Sequence, residues 1–322
     1  MAGKYIVGLD MGGTNVRCAA VSPAGKVLLL LRGPARAKSA ASAVAENIVT
    51  QVRALQDAAR RRGLGAPRAI GVAVPGPLNV FTGTVMAAPH VAAWRAFPLR
   101  QHLETALGRR VVVDNDANAW ALGEFWRGAA RGHRNVVLLT LGTGVGGGLI
   151  VDGKLVHGRS GMAAELGHVV VEPEGIPCDC GARGCLESYA SASGIERMLA
   201  RRLGPRRKFP AHYLDAEGNF SVRGLTRAAR SGDRIALKIF TDSGRYLGIA
   251  LASFINIFNP DLIVIGGGVA GALSFMRRTM MAEVSSRAFA VMARETRIVR
   301  AALGPIGGVV GAAYAALHPA RR

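Results

Sequence analysis

A chain of 322 residues exceeds one ordinary core, and half of its residues are hydrophobic, so two folded domains are expected and a mainly disordered chain is excluded. The formal net charge is +20, but the basic residues lie scattered in pairs and triplets ("RR", "ARRRG", "GPRRKFP") and form no single arm or helix stripe, which argues against a nucleic-acid reader. The opening "MAGKYIVGLDMGG" is broken by Asp10 and glycines, and the most apolar stretch, "LGIALASFINIFNPDLIVIGGGVAGAL", contains Asn256, Asn259, Pro260 and Asp261; neither reads as a signal or membrane segment, so a cytoplasmic protein is expected.

In chain order, "KYIVGLDM", "VRCAAVSP" and "KVLLLLRG" read as three strands joined by the turns "GGTN" and "AG". A helix is predicted from Ser39 to about Arg62, with Val44, Ile48, Val52 and Leu55 at helical spacing and Gly63 just past its end. "RAIGVAVPGPL" is a strand ending in a Pro-Gly-Pro turn, "LRQHLETALG" a helix stopping at Gly108, and "RRVVVDNDANAWALGEFWRGA" a strand running into a helix. "NVVLLTLGTGVGGGLIVDGKLV" repeats the strand, glycine turn, strand pattern of residues 5 to 22, which suggests an internal duplication. Helices follow from Leu186 to about Leu203 and from about Asp233 to Phe258, with "GPRRKFP" a loop between them. The strand "DLIVIGGG", a strand at about 296–302, the segment "GPIGG" and a helix through Leu317 close the chain. No low-complexity linker appears, so the two domains should join tightly with a cleft between them.

Five segments can carry chemistry. In "GLDMGGTN", Gly12 and Gly13 let backbone amides approach phosphate oxygens, Thr14 offers a hydroxyl, and Asp10 can hold Mg²⁺; alone this is also an ordinary hairpin turn. "TLGTGVGGG" has five glycines in one turn, more than turning needs, although a bulged hairpin is the plain alternative. "IVIGGGVAG" suits a nucleoside at a strand end, and equally suits close strand-to-helix packing. "VDNDANAW" places Asp114, Asn115, Asp116 and Asn118 at a strand-to-helix junction. One Asp or Asn suffices for a cap, so a further carboxylate there can accept a proton from a sugar hydroxyl while amides bind others. The fifth, "ELGHVVVEPEGIPCDCGARGCLE", spaces His168, Cys178, Cys180 and Cys185 as one imidazole and three thiolates, a closed tetrahedral set for a structural zinc. Gly181 and Gly184 permit the bend, and Glu165 and Glu187 flank the segment and read as hydroxyl acceptors, with a solvated surface position the plain alternative for either one alone. The fourth cysteine, Cys18, lies alone in an apolar strand and reads as core.

Together these segments, with "GVAVPGPL" and "AELGHVVVEPEGIPCDCGARGCLESYAS", resemble the ROK family of repressors and sugar kinases, in particular its bacterial ATP-dependent glucokinase branch, from Gly8 to about Gly311. The resemblance implies an α/β, actin-like ATPase or ribonuclease-H-like fold with two domains around a cleft. The boundaries it suggests are 1–116, with the helix at about 305–322 packing back on that domain, and 117–304. It implies phosphorylation of a hexose at its 6-hydroxyl, D-glucose first. N-acetylglucosamine or N-acetylmannosamine kinase is the alternative, and fructokinase or a non-catalytic sugar sensor comes behind. Asp116 becomes the catalytic base. Gly76, Asn115, Asp116, Glu165, His168 and Glu187 become sugar contacts. Asp10, Gly12, Gly13, Thr14, Thr143 and Gly144 go to the phosphates and Mg²⁺, and Gly266, Gly267 and Gly268 to the nucleoside of ATP. His168, Cys178, Cys180 and Cys185 hold the zinc. The partners implied are hexose and ATP, with no nucleic acid and no membrane, in a homodimer or homotetramer; only seven residues precede Gly8, too few for a DNA-reading domain. Two positions near the sugar depart from many relatives, which carry Asn where this chain has His90 and Met162.

Overall fold

The computed structural model describes residues 5–87, 94–204 and 208–320. His90 and part of the "GPRRKFP" loop lie outside the described residues. The elements in chain order are β1 (Ile6–Met11), β2 (Asn15–Val21), β3 (Val27–Pro34), α1 (Ala41–Arg61), β4 (Ile70–Val74), β5 (Leu78–Asn79), β6 (Thr84–Ala87), β7 (Arg95–Phe97), α2 (Leu99–Leu107), β8 (Val111–Asn115) and α3 (Asp116–Arg127). Then come β9 (Val136–Leu141), β10 (Val145–Val151), β11 (Lys154–Leu155), α4 (Glu187–Ala190), α5 (Ala192–Leu203), α6 (Val222–Arg230) and α7 (Arg234–Phe258). The chain ends with β12 (Leu262–Gly266), α8 (Leu273–Arg287), α9 (Ala290–Glu295), β13 (Arg297–Arg300) and α10 (Gly307–Leu317). Among the described residues no helix is long and apolar enough to cross a membrane.

Two five-stranded sheets have the orders β3-β2-β1-β4-β8 and β11-β10-β9-β12-β13, so the second repeats the topology of the first. In the first, β1, β2 and β3 pair antiparallel, while β1, β4 and β8 run parallel. In the second, β9, β12 and β13 are parallel. This order is that of the ribonuclease-H-like fold implied by the sequence. A small third sheet, β5-β6-β7, was not foreseen, because its strands span only a few residues each.

The chain forms two compact units, one of Met1–Arg134, Gly148–Ala164 and Ala301–Arg322, the other of Asn135–Gly147 and Glu165–Arg300. The units therefore do not divide at 116, and α3 belongs wholly to the first. That unit has three layers set by strand alternation. Val7, Leu9 and Met11 of β1 face α1 and α2 in one core, with Ile48, Val52, Leu55, Leu99 and Leu103 buried against them. Ile6 points the other way, into a second core with Val309, Val310 and Ala313 of α10. Gly8 lies on that same face, where a methyl group would meet the Val309 carbonyl oxygen at 1.9 Å. The glycine thus lets α10 lie directly on the sheet, and it brings the first turn of that helix over the end of β1. A buried Glu124 fixes the approach to α10 by accepting hydrogen bonds from the N–H groups of Ala302 and Leu303 at 3.0 and 2.8 Å.

In the second unit α7 keeps the bounds expected from the sequence; it is capped by Asp233, whose Oδ1 accepts from Ile235 and Ala236 N–H at 2.9 Å, and it ends at Asn259 in the left-handed region. The single helix expected at 186–203 is broken into α4 and α5 at Ser191. The Ser191 backbone is extended there, and its hydroxyl accepts from Gly194 N–H at 2.9 Å while donating to the Glu187 carbonyl at 2.6 Å. A serine that caps one helix ends the helix before it.

Candidate active site and metal centre

In the first unit, β1, β4 and β8 bring Asp10, Gly76 and the Asp114–Asp116 segment to their C-terminal ends. Asp10 is buried, pairs across the hairpin with Arg17, and has the guanidinium Nη1 3.7 Å from its Oδ2. Burial and the nearby Asp116 carboxylate push the Asp10 pKa up to about 7, against the opposing pull of Arg17 and a hydrogen bond from Trp120. A buried carboxyl group with a second carboxylate nearby is a suitable ligand for a cation. The turn between β1 and β2 is closed by Gly12 N–H donating to the Asn15 carbonyl at 2.9 Å. Neither Gly12 nor Gly13 has positive φ, and a methyl at Gly13 would meet nothing within 4 Å. These glycines are spent on leaving the backbone accessible, beside Thr14, and not on the turn's shape.

The acids and amides of "VDNDANAW" divide their labour. Asn115 is the cap of α3: its Oδ1 accepts from Ala117 and Asn118 N–H at 2.8 and 3.2 Å, and its Nδ2 donates to the Gly76 carbonyl at 3.3 Å. Gly76 itself stands at φ +95°, a conformation that favours glycine. Asp114 is saturated, accepting from Asn115 N–H at 2.7 Å, from Asn118 Nδ2 at 2.9 Å, and meeting His157 Nε2 at 2.9 Å. It is buried structure, not a reacting group. Asp116, half-buried at the head of α3, accepts from Ala117 N–H at 2.9 Å through one oxygen and faces Asp10 electrostatically. Of the two acids in this segment, Asp116 remains the candidate for chemistry. Arg17 and His157 were missed by the sequence reading; the first was recoverable from the hairpin register, while nothing local marks the second.

In the second unit, Glu165 precedes a short helical turn, Leu166–His168. Partial burial raises the Glu165 pKa, with His168 opposing and Glu187 adding to the rise, so these three sugar-site candidates are electrostatic neighbours. His168 Nδ1 lies 3.6 Å from Cys178 Sγ, and Cys180 Sγ lies 3.7 Å from Cys185 Sγ. All four ligand atoms fall within 4.8 Å of one another. A tetrahedral Zn²⁺ with bonds of roughly 2.3 Å to sulfur needs ligand separations of about 3.7 Å, so the donor set fits that ion. Of the two imidazole nitrogens, Nδ1 is the one beside Cys178 Sγ. Gly181 at φ +95° and Gly184 at φ +71° make the bend the sequence called for.

The turn after β9 is tied to the same segment. Val145 N–H donates to Glu187 Oε2 at 2.9 Å, Ser193 Oγ donates to the Thr143 carbonyl at 2.8 Å, and Ala192 N–H to the Gly142 carbonyl at 2.8 Å. A methyl at Gly144 would lie 2.4 Å from Glu187 Oε2. The turn's glycine thus makes room for a carboxylate of this chain, which the sequence reading had not considered. After β12, Gly266 ends the strand, Gly267 (φ +89°) is packed so that a methyl would meet the Leu141 carbonyl oxygen at 2.3 Å, and Gly268 would meet nothing within 4 Å. Gly267 therefore serves strand packing, and Gly268 is the open position of the three.

The model of the ROK family matches residues 6–318. A glucokinase of Halalkalibacterium halodurans is 36% identical, with 98% of this chain and 95% of that protein covered. A glucokinase of Thermotoga maritima is 37% identical, with 96% of each covered. The crystal structure of a ROK family glucokinase from Streptomyces griseus in complex with glucose and AMPPNP superposes with a TM-score of 0.83 at 32% identity, over 98% of this chain and 99% of that one. With a family match running through both sheets and every candidate segment above, this chain belongs to the ROK family.

Proposed function

We propose that the protein transfers the γ-phosphoryl group of Mg-ATP to the 6-hydroxyl of a hexose, with D-glucose the substrate. The observation that carries this reading is the division at the head of α3, where Asn115 takes the capping role and Asp116 is held beside Asp10. The full-length similarity to two glucokinases supports it.

In this reading Asp116 accepts the proton of the sugar hydroxyl, a contribution of about 10²–10⁴-fold. Gly76 and Asn115 bind neighbouring hydroxyls, the latter through the amide hydrogen that Gly76 does not take. Glu165, His168 and Glu187 bind the remaining hydroxyls, with the metal fixing the imidazole ring through Nδ1. Asp10 would hold Mg²⁺, and Gly12, Gly13, Thr14, Thr143 and Gly144 are the residues read as phosphate contacts. Gly266, Gly267 and Gly268 border the nucleoside, Gly268 by direct approach. Phosphoryl transfer has a loose transition state, so most of the work is positioning, worth about 7–11 kcal/mol. His168, Cys178, Cys180 and Cys185 hold a structural Zn²⁺ that braces the sugar-binding segment.

A coupled assay of ADP release across glucose, mannose, fructose, N-acetylglucosamine and N-acetylmannosamine tests the reading. Glucose is expected to give the highest kcat/KM. Absence of turnover with every hexose would overturn it, and a preference for an N-acetylhexosamine would move the substrate while keeping the reaction.

A further inference from the structure

We infer that Glu187 is a strut joining the metal knuckle to the 142–145 turn, so that occupancy of the Cys₃His set and affinity for the nucleotide are coupled without any sugar present. The inference rests on the kinase reading for the identity of the turn's ligand.

The geometry is continuous within the second unit. Cys185 is a metal ligand of the set, and its neighbour Leu186 donates its N–H to the Val169 carbonyl at 2.9 Å, one residue past His168. Glu187 follows immediately, with Ser188 N–H returned to the Cys185 carbonyl at 2.9 Å. Its Oε1 lies 3.9 Å from Cys178 Sγ, and its Oε2 accepts the Val145 N–H at 2.9 Å. Gly144 leaves the space through which the carboxylate reaches the turn. One short side chain therefore touches a metal ligand on one side and the backbone of the phosphate turn on the other. A charged acceptor on a backbone N–H is among the stronger local restraints on a loop. Loss of the metal frees Cys178, Cys185 and His168 together, and the Glu187 carboxylate loses the position from which it holds Val145.

Coupling between two sites is reciprocal, so it can be read at either one. The protein is purified with zinc, and zinc transfer to a chromophoric chelator is followed with and without saturating Mg-ADP, no sugar being added. Calorimetry verifies Mg-ADP binding in the same samples. Mg-ADP is expected to tighten zinc retention by about 5-fold or more in the wild type. Glu187→Ala leaves all four metal ligands in place and is expected to bind zinc but to show no protection by Mg-ADP. Glu187→Gln keeps an oxygen for the Val145 N–H and is expected to retain the effect. Mg-ADP binding without a change in zinc retention in the wild type overturns the strut, as does equal protection in Glu187→Ala or its loss in Glu187→Gln. The wild-type comparison decides even where the alanine variant fails to fold. A wild type that binds no Mg-ADP instead overturns the kinase reading itself.

Discussion

The Asp10 carboxylate rests directly against Gly308 in the first turn of α10, where a methyl group would lie 2.5 Å from both Cγ and Oδ2. The last helix of the chain thereby sets the position of an acid near its start. Gly308→Ala must displace that carboxylate or the helix. Overpacking of this kind costs about 1–3 kcal/mol. The expected result is a lower Tm together with a raised KM for Mg-ATP, while sugar binding measured by calorimetry stays near the wild-type value. An unchanged KM for Mg-ATP would remove Asp10 from the metal-nucleotide site.

The raised Asp10 pKa has a definite sign. Its ordinary value is 3.8 and the folded value is about 7. The native state holds the proton in this interval and the unfolded chain does not, so stability is complete below the lower value and is lost as pH rises through the upper one. Wild type should therefore lose Tm relative to Asp10→Asn between about pH 4 and pH 7. Saturating Mg-ATP should reverse the loss, because a bound cation favours the carboxylate, and its binding should release a proton near neutral pH. Calorimetric titration in buffers of different ionisation enthalpy measures that proton. A wild-type Tm that tracks Asp10→Asn across the whole range would show that Asp10 ionises freely.

Asn115 and Asp116 are adjacent, yet their variants should behave differently. Asn115→Ala loses a cap that serves two amides, which costs about 0.5–2 kcal/mol and should appear in Tm. Asp116→Asn should scarcely move Tm and should lower kcat by about 10²–10⁴-fold, with glucose still bound. A fall in Tm for Asp116→Asn larger than that for Asn115→Ala, with kcat preserved, would assign Asp116 to the helix alone.

The knuckle should contain one zinc per chain. Cys180→Ser is expected to lose the metal and most of the activity together, since folding of a closed Cys₃His segment is tied to its ion. Elemental analysis and the coupled assay on one preparation check this. A metal-free preparation with wild-type kcat would refute it.

A buried carboxylate can also matter with no chemistry attached. Glu124 is fully buried and accepts from the N–H groups of Ala129, Ala302 and Leu303. Glu124→Ala leaves three donors without this acceptor and should cost about 3 kcal/mol or more, at 1–3 kcal/mol for each buried orphan group. Chemical denaturation should show the loss, with KM for both substrates nearly unchanged in the fraction that folds. Comparable stability in the variant would mean that the segment before α10 is held by other contacts.

Much of this was legible in the chain because it is local. Apolar runs bounded by glycine turns marked the strands, the helix expected from about Asp233 to Phe258 is α7, and the spacing of His168, Cys178, Cys180 and Cys185 announced a metal set whose donors do converge. Where the reading fell short, the missing partner was distant in sequence. Asp114 looked as available as Asp116 until His157, 43 residues away, was found against it. Gly144 read as a phosphate glycine alone, and Glu187, 43 residues further on, also lies against it. Gly8 stood inside a predicted strand and Gly308 in the segment before the last helix, and both are contact points between the sheet and α10.

By itself the sequence determined most of the longer elements, the strand, turn, strand repeat of its two glycine-turn halves, and the residue types able to bind phosphate, metal and hydroxyl. Periodicity, capping and ligand spacing act within a few residues and need no partner from afar. Only the tertiary structure decided which acid is satisfied, which glycine makes room for the chain itself, and which carboxyl is held near neutrality. Those properties belong to the neighbours that folding brings within a few ångströms, and a buried group's charge and freedom are set by its neighbours.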